Sequence, residues 1–381
     1  SPGLNIATNN TGGEPDATMN FNIRGMGTPF VLVDGMPMNI NQLNPADVES
    51  ISVLKDASSA AIYGAYAPYG VILVTTKKGG STDGKPNLSY NSDFAWSTPT
   101  RLPRMANGLE FANSWNDAAQ NAGIAPIFSN DIIAKIEQFM KNPNSTNGTA
   151  PDPLDPTKWG KHEYANASTD WYKELIKKWS LRQKHNLTVN GGRDGFNYYL
   201  STAFYDQKGQ MKFGNESYER YNIDAKINSK INKWLQVNFL TKYARGLSDY
   251  PNDGYGLVRS VMWHDLTRRW ATDPLMYPNG EYSEMARVNV YENGGRDIYT
   301  NNELWLRFEG VLEPVKNWFI KGDYSWKNAN MTNEAHHALV YATGPTGDKY
   351  VAFDTRTPND IAKTADADNY WPYNISSSYE K

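Results

Sequence analysis

GTPFVLVDGMPMNINQLNPADVESISVLKDASSAAIYGAYAPYGVILVTTKKGG, residues 27–80, holds the decisive pattern of this chain. Its apolar runs at 30–33 and 71–75 are rich in the β-branched residues that favour strands. The first run is continuous rather than alternating, which predicts a strand covered on both faces. Asp34-Gly35 follows it as a hairpin-turn signal. Asn44 predicts an N-cap, with Pro45 at the first position and Asp47 in the first turn of a short helix. Residues 51–54 return as a strand. Asp56 can cap a helix over 57–63, which Gly64 ends. Upstream, residues 21–24 alternate as a short strand before a turn through Arg24, Gly25, Met26 and Gly27. Downstream, Lys77-Lys78-Gly79-Gly80 leads into a linker. The stretch therefore predicts a compact α+β unit.

From Asn87 the pattern changes to period two. Leu88, Tyr90, Phe94 and Trp96 share one face, and Asn87, Ser89, Asn91 and Asp93 share the other. Similar two-faced runs recur around 186–191, 196–204, 220–227, 235–239, 303–309 and 318–327, giving about seven strands. The connections near 193–195, 232–233 and 314–317 are short. Those at 97–184, 207–217 and 246–301, and the segment beyond 331, are long. Strict alternation of tight turns and long loops is the connectivity of an outer-membrane β-barrel. Seven strands do not close such a barrel, because an open edge leaves backbone groups unpaired in lipid. Within the first long loop, helices are expected over 109–121, 131–141 and 169–179, with Thr169 or Asp170 capping the third.

Composition narrows the function classes. The chain has 381 residues and a formal charge of −3, with no dense basic run, which argues against a nucleic-acid partner. It has no cysteine, so neither disulfides nor thiolate metal sites are available. No run approaches the roughly 18 apolar residues of a membrane helix. The mean hydropathy of −0.66 is too polar for a helical membrane protein but suits a barrel with a wet lumen. The 24 Tyr and 12 Trp fit interfacial girdles or sugar-binding surfaces. Both ends read as cut. Ser1-Pro2-Gly3 is no signal peptide, and the polar stretch 374–381 is expected to contain no closing strand.

The segment 21–80 closely resembles the plug of the SusC-like TonB-dependent transporters of the Bacteroidetes outer membrane. The matching blocks are IRG (23–25), VLVDGMPM (31–38), LNPADVESISVLKDASSAAIYG (43–64) and GVILVTTKKG (70–79). The plug-motif positions are Arg24, Gly25, Asp34, Gly35, Lys55, Asp56, Tyr63 and Gly64. Tyr66-Ala67-Pro68-Tyr69 departs from the pattern of many relatives. The resemblance implies a mainly β chain, with a plug domain over 1–82 and the first part of a transmembrane antiparallel barrel over 83–381. The full barrel would have about 22 strands. It implies TonB-dependent import of oligosaccharides under a SusD-like surface lipoprotein, with TonB engaged through a segment upstream of this sequence. Outer-membrane lipid would surround the barrel. Oligopeptide import is the alternative by the same mechanism. A surface glycan-binding or adhesion protein without transport is the alternative from another class, and an envelope glycosidase is a third.

No GxSxG, HExxH, Walker A or dinucleotide fingerprint is present, and no acid/base pair stands out, so neither an enzyme nor a cofactor is expected. His336-His337 would point to opposite faces of a strand and reads as a surface pair rather than a metal site. The densest run of planar and charged groups is Trp263, His264, Asp265, Arg268, Arg269 and Trp270. In the resembling family this region tends to lie near the lumen above the plug. With Tyr66 and Tyr69, these residues are the candidate substrate contacts, the competing role being loop packing.

Overall fold

In a computed structural model, residues 3–380 are described apart from 9–13, 26, 56–62, 65–66, 81, 145–146, 253–260, 353–358 and the side chains of 261–263. The expected helix over 57–63, with its cap Asp56, lies outside the described residues, as does Tyr66.

The N-terminal unit contains a strand not anticipated from sequence, β1 (Leu4–Thr8). It pairs antiparallel with β2 (Met19–Ile23) as a small separate ribbon. A four-stranded mixed sheet follows, in the order β4 (Met36–Pro37), β3 (Phe30–Val33), β6 (Val71–Thr76), β5 (Val48–Leu54). Strands β3 and β6 are parallel, and β5 runs antiparallel to β6. Both faces of β3 are covered, as its apolar run predicts. Val33 packs with Met36, Leu43, Ile72 and Val74, while Leu32 packs with Ala67 and Val71 on the opposite side. The helix begun at Asn44 is a single 3-10 turn, Pro45–Asp47, with the Asn44 side chain accepting from the Ala46 N–H.

The second sheet is a continuous antiparallel wall. It runs in sequence order through β7 (Asn87–Ser97), β8 (Ser180–Arg193), β9 (Phe196–Lys208), β10 (Ser217–Lys230), β11 (Leu235–Pro251), β12 (Arg296–Val315) and β13 (Trp318–His337). All seven expected strands are there. Beyond them, β16 (Asp360–Tyr370) and β17 (Tyr373–Tyr379) both pair with β13. Tyr370 lies opposite Lys327 and Tyr373 opposite Tyr324, so one register carries through both segments. They form one eighth wall strand, interrupted at Trp371-Pro372 because proline has no N–H to give the ladder. The stretch 374–381, expected to hold no closing strand, does contribute a strand, although one that extends the open wall rather than closing it. Its polar look came from Asn374 and the serines, whereas Tyr373, Ile375 and Tyr379 share one outward face.

The wall inverts the usual rule of burial. On β10, Tyr221, Ile223 and Ile227 are 42, 43 and 40% exposed, while Asn222, Asp224 and Lys226 between them are 9, 4 and 8% exposed. Apolar residues face out and polar residues face in, the pattern a strand needs between hydrocarbon and a wet lumen. Strands β12 and β13 reach 20 residues each, well beyond the about 9–11 that cross a bilayer, so they project past the apolar band. The long connections all leave one end of the wall. A hairpin of β14 (Tyr341–Thr343) and β15 (Lys349–Val351) lies in the last of them.

Two of the three loop helices form as expected, over Gly108–Asn121 and Asn130–Lys141, capped by Asn107 and Ser129. The third is confined to Trp171–Leu175, with Asp170 as its cap. It stops because the Lys177 N–H donates to the Gln210 carbonyl and the Lys212 N–H to that of Leu175, drawing the chain into a bridge between Ile176 and Met211.

The α+β unit sits against the polar side of the wall, as a plug sits in a lumen. Trp305 of β12 and Leu240 of β11 complete the apolar cluster around Val33, Met36 and Val74, and Trp305 is fully buried. Gly79 passes the wall so closely that a Cβ there would lie 2.2 Å from the Tyr198 carbonyl oxygen. Trp305→Ala therefore removes the largest wall side chain from a cluster shared with the plug. It is expected to cost about 3–5 kcal/mol, read as a fall in the denaturant midpoint of the folded protein. An unchanged midpoint would show that the plug does not pack on this wall in solution.

Candidate functional site

The site with the most concentrated chemistry is the seam between plug and wall. It begins at the Asp34-Gly35 turn, where both residues have positive φ, at 49° and 82°. Two such residues make the tight hairpin between β3 and β4. A Cβ on Gly35 would also meet the Arg307 guanidinium at 2.4 Å. Held by this turn, the Asp34 carboxylate accepts from the Thr76 N–H at 2.9 Å and from the Thr76 hydroxyl at 2.6 Å. Its outer side meets two wall ammonium groups, Lys226 and Lys242, each at 3.1 Å. Lys226 also donates to the Thr76 carbonyl at 2.8 Å, and Lys242 pairs with Asp224.

These side chains are between 4 and 11% exposed, so the cluster is dry. It balances two carboxylates, Asp34 and Asp224, against two ammonium groups. A second balanced set lies beside it. Arg307 donates to the Asp34 carbonyl and approaches Glu309 at 3.2 Å and Asp323 at 3.4 Å, and Lys321 pairs with Glu309 at 3.1 Å. A cavity of about 670 Å³ opens next to both sets, lined by Asp34, Lys226, Arg307, Glu309 and Lys321 among others.

Further polar ties run up the wall. Tyr199 donates to Asp47 at 2.8 Å, Asn44 donates to both Asp47 and Asn186 at 2.8 Å, and Asn222 donates to the Gln42 carbonyl at 2.7 Å. Near the loop end, Ser248 and Tyr250 donate to Asp16. Apart from the apolar contacts of Trp305 and Leu240, the described residues of plug and wall meet mainly through hydrogen bonds and ion pairs. Interfaces of that kind separate more readily than apolar ones. Among the described residues no group of His, Asp and Glu is placed to hold a metal.

The candidates named from sequence have varied positions. Arg24 and Gly25 form a positive-φ turn, with the Arg24 N–H donating to the Gly3 carbonyl. Lys55 is half-buried at the end of β5, Tyr63 packs on Leu32 and Val71, and Gly64 has φ of 54°. Tyr69 is exposed on the plug surface, its ring lying where a Gly27 Cβ would go. In the helix Val261–Arg268, the Trp263 side chain lies outside the described residues. Asp265 pairs with Arg287 at 2.9 Å. Arg269 donates to the Met285 and Ala286 carbonyls and to the Tyr291 hydroxyl, and lies over Trp171. Trp270 stacks on Trp115 at 5.1 Å and touches Phe111, Phe128 and His162. These three side chains pack the loop layer, while His264 and Arg268 remain exposed. His336 and His337 do point to opposite faces, but they are not a surface pair. His337 is buried and bonded to Asp360, which the unexpected eighth strand supplies.

Sequence reasoning missed Lys226, Lys242, Asp224, Thr76 and Arg307 as functional residues. Their signal was faint: charges two residues apart on the polar face of a strand share one face, but their partner across the lumen is not encoded locally.

Asp34→Asn leaves two buried ammonium groups short of a counter-charge. It is expected to cost about 3–5 kcal/mol in a denaturant titration. Burial pushes the Asp34 carboxyl up, but Lys242, Lys226 and the Thr76 hydrogen bonds outweigh it and hold the group below its ordinary value. A carboxyl depressed on folding stabilises fully above its unfolded value, near 4, and loses that contribution as pH falls through the folded value. Wild-type stability should thus decline on acidification below about pH 4 more steeply than that of the variant. Parallel pH profiles would remove Asp34 from this role.

Comparison with known proteins gives this geometry its context. The TonB-dependent Receptor Plug Domain model matches residues 1–71. The TonB-dependent receptor P26 of Formosa agariphila is 28% identical over 84% of this chain, which spans 30% of that relative. The TonB-dependent receptor SusC of Bacteroides thetaiotaomicron is 23% identical over 76% of this chain and 26% of its own length. The chain therefore spans less than a third of these relatives. The RagAB peptide importer in its 'open-open' state superposes on the whole chain with a TM-score of 0.67 at 17% identity, over half of that structure's chain. In its 'closed-closed' state the TM-score is 0.65. The plug motif, the inverted wall and these likenesses agree: the chain carries a TonB-dependent receptor plug over residues 1–71 and is similar to SusC-like TonB-dependent transporters.

Proposed function

We propose that this chain supplies the plug and the first eight wall strands of an outer-membrane barrel that imports oligosaccharides. The observation that carries the reading is a folded plug held against an inverted wall mainly by polar, charge-balanced contacts. Such contacts keep a lumen shut at rest. They also exchange for water at modest cost when the plug is pulled, because each ion finds hydration in the opened lumen. TonB, driven by the inner-membrane proton gradient, supplies the pull, and a SusD-like lipoprotein covers the loop end. The helices Gly108–Asn121 and Asn130–Lys141 belong to the loop layer on which such a lid would rest. The short turns then face the periplasm. Tyr69, His264 and Arg268 are the exposed members of the candidate contact set.

The glycan assignment rests on the family's common tie to glycan use. Oligopeptide import is the second reading, favoured by the structural likeness to a protein described as a peptide importer. The full-length receptor in cells should take up a fluorescent oligosaccharide and stop when a protonophore collapses the gradient. Surface binding that persists without uptake would support the adhesion reading instead. Recovery of peptides alone from the purified complex, by mass spectrometry, would overturn the glycan assignment.

A further inference from the structure

One lumen-facing row of the wall carries a charge that its neighbours do not neutralise. Asp93, Lys184, Tyr205, Arg220 and Gly246 lie opposite one another in register across β7 to β11. Lys184 and Arg220 both approach the Tyr205 ring, at 5.8 and 5.4 Å from its centre. Their strands are two ladder spacings apart, roughly 10 Å, close enough for two long cationic side chains to converge on one group. Asp93 stands opposite Lys184 in the register, but its carboxylate lies 4.0 Å from Arg182. Arg220 donates only to neutral oxygens, those of the Asn222 side chain and the Asn41 carbonyl. Among the described residues, neither Lys184 nor Arg220 has a carboxylate within ion-pair distance.

The clusters around Asp34 and Arg307 are balanced, and the buried carboxylates of Asp47 and Glu303 are held by neutral donors, Tyr199 and Asn44 for the first and Trp305 for the second. Two like charges flanking one ring repel each other, and an anion between them turns that repulsion into two attractions. The space for one exists. A cavity of about 200 Å³ is bounded by Pro45 and Ala46 of the plug and by Asp93, Lys184, Tyr205 and Arg220 of the wall, the Asp93 carboxylate lying at its rim toward Arg182. The next row down includes Asn91, Asn186, Ala203, Asn222 and Ala244, where the small residues leave room. The Asn186 and Asn222 amides are bonded to plug and wall, and the Asn91 side-chain carbonyl is the acceptor left for a sugar hydroxyl. The volume is small beside the about 300–1,000 Å³ of drug-sized pockets, and suits one ring with its acidic substituent.

We propose that Lys184 and Arg220, with Tyr205 between them, form a subsite for a carboxylate- or sulfate-bearing sugar of the transported chain. The inference rests on the glycan-import reading and narrows its substrate class to acidic oligosaccharides.

The test uses the full-length receptor purified with its surface lipoprotein in detergent. Binding of trigalacturonate, of its carboxyl-reduced neutral counterpart, of a sulfated galactose trisaccharide and of tetra-aspartate is measured by calorimetry. At least one acidic saccharide is expected to bind tenfold or more tighter than the neutral one. Which of the two does so identifies the acidic group. Lys184→Gln should bring that ratio down about tenfold, and Lys184→Arg should keep it. The Lys184 side chain makes no hydrogen bond among the described residues, so this variant leaves every plug contact in place, whereas Arg220→Gln would remove the one to the Asn41 carbonyl. Equal affinity for acidic and neutral saccharides, or a ratio unchanged in Lys184→Gln, would overturn the subsite and leave glycan import standing. Binding of tetra-aspartate with no saccharide bound would overturn the sugar assignment together with the glycan reading.

Discussion

The buried Asp34 carboxylate is the constraint around which the described structure is arranged. Its desolvation is tolerable only because Lys226, Lys242 and Thr76 surround it, and those groups come from different parts of the chain. Asp34 and Thr76 belong to the plug sheet and the lysines to two neighbouring wall strands. Neither the plug nor the wall can bury its own charges without the other. An ion cluster of this kind adds little net stability over an apolar contact of the same size, yet breaking half of it is costly. It therefore specifies position more than it adds strength.

The same logic extends along the lumen. Water and the plug share the polar side of the wall, while the apolar side faces outward, so the driving force that collapses a soluble protein cannot hold these two bodies together. Hydrogen bonds from Tyr199, Asn186 and Asn222 to the plug segment 42–47 take its place, with Trp305 as the local apolar anchor. Where the plug leaves a gap, at Lys184 and Arg220, the charge of the wall stays unbalanced. The Asp34 and Arg307 clusters are balanced where plug meets wall, whereas Lys184 and Arg220 flank a cavity without a carboxylate in ion-pair distance among the described residues.

The elements set by local pattern were legible in the sequence. The continuous apolar run at β3, the Asp34-Gly35 turn, the Asn44 cap and the period-two strands from Asn87 each depend on residues within a few positions of one another. What failed to read correctly depended on distant partners. The third loop helix ends early because Gln210 and Met211 pull on 176–177. The eighth strand is carried by pairing with β13 through a segment, DIAKTADADNY, that has little apolar alternation of its own. His337 is buried because that strand brings Asp360 to it. Of the aromatic and charged run 263–270, the sequence could say that it was dense in binding chemistry. It could not say that Arg269 and Trp270 would be consumed by packing.

By itself, then, the sequence determined the plug motif, the two-faced strands, and the alternation of short turns and long loops that orients them. Periodicity and turn chemistry are local, and a reader needs only neighbouring residues to see them. Tertiary structure alone decided which wall charges meet the plug and which face open space. Asp224, Lys226, Lys242, Lys184 and Arg220 look alike along the chain, as polar residues on the inner faces of strands. Only the cross-strand register and the seat of the plug separate them. Three become part of a neutral, buried lock, and two are left as a positive pair with room for an anion.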